Sequence, residues 1–127
     1  MRSILTQQFA AIQAALREEG LDGWLLYDAH GLNPIARQIV GIAGVVTRRW
    51  FALIPADGEP RFLFHRIESL AFDPMPGVKK VYRTWQELDE GIDWILQGCR
   101  RVAMEYSPDN AIPYVARVDA ATIDKIR

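Results

Sequence analysis

The sequence predicts an α/β domain: a mixed β-sheet containing one hairpin, flanked by helices in a three-layer-like arrangement. Three observations carry this. Helical periodicity alternates with short apolar runs along the chain. The run Gly23–Asp28 is continuously apolar up to its closing Asp28, as befits a strand covered on both faces, and Arg49–Ile54 reads as the strongest strand of the chain. The run at 49–54 is joined to a second, 61–65, by a connection containing Asp57-Gly58, a hairpin signal. With 127 residues the chain reads as one domain, residues 1–127, under a prior of about 100–200 residues per domain. A domain of this size buries roughly two-thirds of its unfolded surface and needs no covalent staple. Trp24, Trp50, Trp85 and Trp94, with Phe9, Phe51, Phe62, Phe64 and Phe72, are the large core candidates.

The elements follow in order. Between Ser3 and Gly20, Leu5, Phe9, Ile12 and Leu16 recur on one helical face, with Ser3 as N-cap and Gly20 as the left-handed residue past the end. The Gly23–Asp28 run is the first strand. Asn33 caps and Pro34 opens a second helix, whose inner face is Ile35, Ile39 and Val40 and which Gly41 ends. The hairpin follows. Residues 66–72 form a short helix, broken by Asp73-Pro74-Met75-Pro76-Gly77. Val78–Tyr82 is a strand. Thr84-Trp85-Gln86-Glu87 matches a capping box, and Trp85, Leu88, Ile92 and Ile95 continue at helical spacing to Gly98. Arg101–Glu105 is a further strand, 106–113 a polar loop with turn chemistry at Tyr106-Ser107-Pro108 and Pro113-Tyr114, and Asp119 caps a last helix with Ile123 and Ile126. That pattern reaches Arg127 without a stop signal, which reads as a boundary or a linker into another domain.

Composition narrows the function. The chain is 50% hydrophobic and 24% charged, and 15 basic against 16 acidic residues leave a net charge of −1. No nucleic-acid or membrane partner is expected from that balance. No run approaches the ~20 apolar residues of a membrane span, and no signal-peptide core precedes the first helix, so a cytoplasmic protein is expected. The one cysteine, Cys99, allows no internal disulfide and reads as a small buried hydrophobe. There is no G-x-G-x-x-G, no Walker-type loop, no H-E-x-x-H, no C-x-x-C and no G-x-S-x-G. Glu18-Glu19 and Asp89-Glu90 read as solvated helix-surface charge. No catalytic residue and no metal ligand is assigned.

Four residues remain as candidates for substrate gating or an interface. His30 follows the first strand at its carboxyl end, where α/β sheets bind ligands, although a solvent-facing turn histidine is the plainer reading. Arg48 and Arg49 lead into the hairpin and could clamp a carboxylate bidentately, or serve as exposed edge charges. Trp50 lies in a dense apolar strand and reads first as core.

Several phrases resemble a known family. Leu16-Arg17-Glu18-Glu19-Gly20-Leu21-Asp22-Gly23-Trp24-Leu25-Leu26 resembles the opening of the creatinase/prolidase-type N-terminal domain, a helix, a G-L-D turn and a buried strand. Asn33-Pro34-Ile35-Ala36-Arg37-Gln38-Ile39-Val40-Gly41 stands where that family has an Asn-led helix running to a T-G-F type ending; Ile42 replaces a frequent aromatic. Val102-Ala103-Met104-Glu105-Tyr106 is similar to the later strand with its G-x-E ending. The match looks closest to bacterial Xaa-Pro peptidases, in which Y-D-x-x-G-x-N-P-I-A and M-E-Y-S-P-x-N-A-I-P-Y phrases occur.

The resemblance implies a non-catalytic N-terminal accessory domain of an Xaa-Pro dipeptidase or aminopeptidase P (a metallopeptidase and hydrolase). In such proteins a C-terminal pita-bread domain, absent from residues 1–127, holds two divalent metal ions (Mn or Co) that activate water. The implied roles of the N-terminal domain are dimerisation and substrate-size gating. The implied partners are its own C-terminal catalytic domain, a second copy in a homo-oligomer, and short proline-containing peptides. The alternative is a free-standing small-molecule or protein-binding module on the same fold. An uncovered interface is expected to make the isolated domain self-associate.

Overall fold

A computed structural model of the chain describes residues 3–42, 44, 46–105 and 117–127. Helix α1 (Ile4–Glu18) starts where the Ser3 hydroxyl accepts the Thr6 N–H at 3.1 Å, and Gly20 turns to φ +69 just beyond its end. Strand β1 (Gly23–Asp28) follows, then α2 (Pro34–Val40), capped by Asn33 and closed by Gly41 in the left-handed region. The hairpin is β2 (Trp50–Pro55) and β3 (Arg61–His65), with Phe51 opposite Leu63 and Ala52 opposite Phe62. A 3-10 turn (Arg66–Glu68) and α3 (Ser69–Phe72) divide the short helix expected at 66–72. Strand β4 (Val78–Tyr82), helix α4 (Trp85–Ile95), the short β5 (Val102–Ala103) and α5 (Ala120–Ile126), capped by Asp119, complete the order.

One mixed sheet results, in the order β4-β3-β2-β1-β5. β1 and β2 pair antiparallel, as do β2 and β3, while β1 is parallel to β5 and β3 to β4. Strands β1, β3, β4 and β5 therefore all point one way, and their carboxyl ends share one edge with the start of β2. Alternation along the strands feeds two cores. Leu26, Trp50, Ala52, Ile54, Phe62 and Phe64 meet α1, α2 and Phe72 on one face. Leu25, Phe51, Leu53 and Leu63 meet Leu88, Ile92 and Ile95 of α4 and Ile123 of α5 on the other. The three layers and the mixed sheet are as the sequence predicts. Gly91 lets α4 lie close: a Cβ there would sit 2.4 Å from the Leu63 Cδ1 atom.

Five details depart from expectation. Trp85 is no core residue; its side chain is 70% exposed, because the first turn of α4 begins past the end of β4 with no strand beneath it. Trp24 and Trp94 are half-buried, the latter beneath the Lys80 ammonium. The capping box is shifted: the Thr84 hydroxyl accepts the Glu87 N–H, but Glu87 Oε1 takes the N–H of Arg83 at 2.9 Å. Strand β5 covers Val102–Ala103 rather than 101–105, since Arg101 N–H is drawn to Asp22 Oδ2 and Glu105 turns inward to bond other elements. The expected loop at 106–113, with Pro113-Tyr114, lies outside the described residues. Asp89, read as solvated, forms an ion pair with Lys125 across α4 and α5.

Candidate functional site

A buried polar group without a partner costs about 1–3 kcal/mol, so buried polar side chains mark where structure has been specified. Here they gather beneath the carboxyl end of β1. Asn33, almost fully buried, donates from Nδ2 to the Tyr27 carbonyl and to Glu105 Oε1, both at 2.7 Å, while its Oδ1 accepts the Ala36 N–H as N-cap. Its own N–H is held by Asp28 Oδ1 at 2.8 Å. The second Glu105 oxygen accepts the Trp24 indole N–H at 2.8 Å. Burial pushes the Glu105 carboxyl up, against the pull of the Trp24 and Asn33 bonds. This network ties β1, the entry to α2 and the segment after β5 into one rigid base.

At the same end of the sheet opens a groove of about 770 Å³. The β1–α2 connection supplies His30, whose backbone sits at φ +58 and whose N–H bonds the Thr47 carbonyl. The approach to β2 supplies Arg48 and Arg49, the end of β3 supplies His65, and the end of β4 with the start of α4 supplies Tyr82, Arg83 and Trp85. His30, Arg48 and Arg49 are exposed and are brought together in this groove. Trp50 is not: it is fully buried in the core beside Phe72 (ring centroids 5.5 Å), which removes it from the exposed candidates. Its indole nitrogen and Asp28 Oδ2 are buried without a hydrogen-bond partner.

The electrostatics of the groove are uneven. The carboxylates at its wall and on the neighbouring 3-10 turn, Asp119 and Glu68, are committed to local donors. Glu68 Oε1 accepts the Thr47 N–H (3.1 Å), the Thr47 hydroxyl and the Arg48 N–H (both 3.3 Å), and meets the Arg48 guanidinium only at 3.9 Å. Asp119 holds the N–H and hydroxyl of Thr122 at 2.9 and 2.8 Å. Burial opposes its ionisation, yet the Thr122 bonds keep its carboxyl below the usual range, with the Arg49 charge assisting. Arg83 is tied to Glu87 at 3.2 Å. Burial pushes the Tyr82 hydroxyl up to about 12, and that hydroxyl donates to the Arg49 carbonyl at 2.6 Å. Desolvation, then the Arg48 charge, hold the His65 imidazole below its ordinary value. Since His65 Nδ1 accepts the Ile67 N–H, the neutral ring carries its proton on Nε2, as a donor.

Sequence reasoning missed His65, Glu68, Tyr82, Trp85 and Glu105 as groups of this end. Only Glu105 carried a signal, an acid flanked by Met104 and Tyr106 directly after an apolar strand. The rest meet because β3 and β4 run parallel to β1.

No family model matches the chain, and no curated protein does. Solved structures do. The chain superposes over 94% of its length on the creatinase/prolidase N-terminal domain of an X-Pro dipeptidase from Streptococcus pyogenes, covering 85% of that chain with a TM-score of 0.68 at 13% identity. The fold is that of a creatinase/prolidase N-terminal domain. The same fold is found in the prolidase of Pyrococcus horikoshii OT3 (94% of this chain, TM-score 0.64, 14% identity) and in the dipeptidase PepE of Mycobacterium ulcerans (98%, 0.60, 19%). The chain spans only 29% and 36% of those two proteins. Among the described residues no group of three or more His, Cys, Asp or Glu could hold a metal ion. Nor is any described helix long and apolar enough to cross a membrane.

Proposed function

We propose that this creatinase/prolidase-type domain is the N-terminal accessory domain of an Xaa-Pro dipeptidase or aminopeptidase. It serves dimerisation and limits the size of peptide admitted to a C-terminal, dinuclear metal peptidase domain. The observation that carries this is the superposition of nearly the whole chain on the N-terminal domain of an X-Pro dipeptidase. The carboxyl end of the sheet is the face offered to the peptide cleft, since His30, Arg48 and Arg49 stand exposed there.

The test begins with the reading frame on both sides of these 127 residues, where an Asp, Asp, His, Glu, Glu set is expected. The complete product, loaded with Mn²⁺ or Co²⁺, is then assayed on an Xaa-Pro dipeptide and on longer peptides with the same first two residues. Arg49→Ala and His30→Ala in the complete product are expected to raise the ratio of long-peptide to dipeptide kcat/KM. A frame without the ligand set, or a ratio unmoved by both variants, overturns the reading. The groove itself favours one second reading, a free-standing small-molecule-binding module, which would bind ligand with no peptidase domain present.

A further inference from the structure

Balance of charge in the groove singles out one group. Among the described residues the Arg49 guanidinium has no carboxylate within 4.0 Å, whereas Arg83 is matched by Glu87 and Arg48 faces Glu68 at 3.9 Å. Asp119, which lines the same groove and feels the Arg49 charge, accepts the N–H and hydroxyl of Thr122, and Glu68 accepts hydrogen bonds from Thr47 and Arg48. A guanidinium on an anchored backbone, with a carboxylate lining the same groove but none in direct ion-pair contact, still has its donors open to a planar oxyanion. The backbone is fixed here, because the Tyr82 hydroxyl bonds the Arg49 carbonyl and Arg49 precedes the fully buried Trp50.

Two neighbours define what the anion is attached to. His65, with Nδ1 engaged, has only Nε2–H to offer, a second donor on the wall of the same groove. Trp85 lines the groove too and leaves 70% of its side chain in solvent, a large indole with nothing to cover it. Exposed indole is an apolar, π-rich platform suited to a ring.

We infer that this groove is a binding site for a small organic anion, a carboxylate or phosphate ester joined directly to a ring, with Arg49 taking the anion and Trp85 the ring. His65 Nε2–H supplies a supporting hydrogen bond. The ligand class follows from the two groups together: a bare anion would leave the indole uncovered, and a neutral ring would leave the guanidinium unmatched.

The 127-residue chain itself is titrated with benzoate, phenyl phosphate, inorganic phosphate and benzyl alcohol, following tryptophan fluorescence and the indole N–H resonances. Trp50 is sealed in the core, so the exposed Trp85 dominates any ligand-induced change. The expected result is saturable binding of benzoate or phenyl phosphate, the two acids separating a carboxylate from a phosphate preference. Inorganic phosphate and benzyl alcohol are expected to bind at least about tenfold more weakly. Arg49→Gln, whose backbone carbonyl still serves Tyr82, is expected to weaken binding about tenfold or more, as loss of a charge-assisted bond requires. Trp85→Ala is expected to weaken it several-fold, and Arg100→Gln, at the opposite end of the sheet, leaves it unchanged. No saturable change with either acid overturns the proposal. Equal binding of benzyl alcohol, or an unaltered affinity in Arg49→Gln, does so as well.

Discussion

The two ends of the sheet are built on opposite plans. At the amino end of β1, β3 and β4, long side chains close the turns by bonding backbone. Gln13 Nε2 donates to the carbonyls of Pro55 and Gly58, both at 3.0 Å. Arg17 reaches the Ala56 carbonyl at 2.8 Å, and Arg61 those of Ile95 and Gln97 at 2.9 Å. Asp22 takes the N–H groups of Arg100 and Arg101. At the carboxyl end the bonds lie beneath the surface, in the Asn33–Glu105–Trp24 network, and the surface is left unfinished. The four most exposed large apolar side chains of the described chain all stand there: Leu32 (71%), Ile67 (67%), Leu70 (85%) and Trp85 (70%). A closed end needs no partner. An end with apolar tips over a rigid polar base is organised to meet something.

This contrast can be broken in steps. The largest effect is expected from Glu105→Ala, which removes the acceptor of the half-buried Trp24 indole and one of the two acceptors of the buried Asn33 amide. It should cost about 3 kcal/mol in urea unfolding. Gln13→Ala at the other end removes bonds from a partly exposed side chain and should cost only about 1 kcal/mol in the same experiment. Equal losses would mean that the ends are not held differently. Ile67→Lys with Leu70→Lys should leave stability within about 0.5 kcal/mol while reducing self-association in sedimentation at high concentration. A wild-type chain that stays monomeric there would remove the reason for the exposed tips.

Titration offers the gentlest comparison. Burial and then Arg48 hold the His65 pKa down in the folded state, so below the ordinary pKa of about 6.5 the unfolded chain binds this proton more readily. Stability from His65 is therefore present above that value and falls as pH drops through it. Asp22 is the reverse in placement: backbone bonds from Arg100, then Arg101, hold its pKa down. Its contribution persists until pH falls below the ordinary aspartate value of 3.8. A melting-temperature profile should decline between pH 7 and pH 5, and His65→Gln should flatten that limb without changing the one below pH 4.

Much of the fold was legible because local rules acted where they are strong. Ser3, Asn33, Thr84 and Asp119 all cap the helices that their positions predict. The hairpin forms where two apolar runs flank Asp57-Gly58. Trp85 shows the limit: its spacing with Leu88 and Ile92 is that of a core residue, yet spacing cannot say where the sheet beneath a helix stops. Of the groove, the sequence pointed to His30, Arg48 and Arg49 by their place at strand ends. His65, Tyr82 and Trp85 come from elements whose neighbours in space are set by strand order.

By itself, then, the sequence determined which segments become helix or strand, and which residues end them, since caps, turns and apolar periodicity are interactions among near neighbours in the chain. Tertiary structure alone decided which strand ends meet. The order β4-β3-β2-β1-β5 places residues 30, 49, 65 and 85 around one groove and draws Glu105 under Asn33 across 72 residues of chain. The physical reason is that side chains so far apart in sequence meet only after both faces of the sheet have been buried. Packing, rather than local propensity, therefore fixes which charges find a counter-charge and which are left facing the groove.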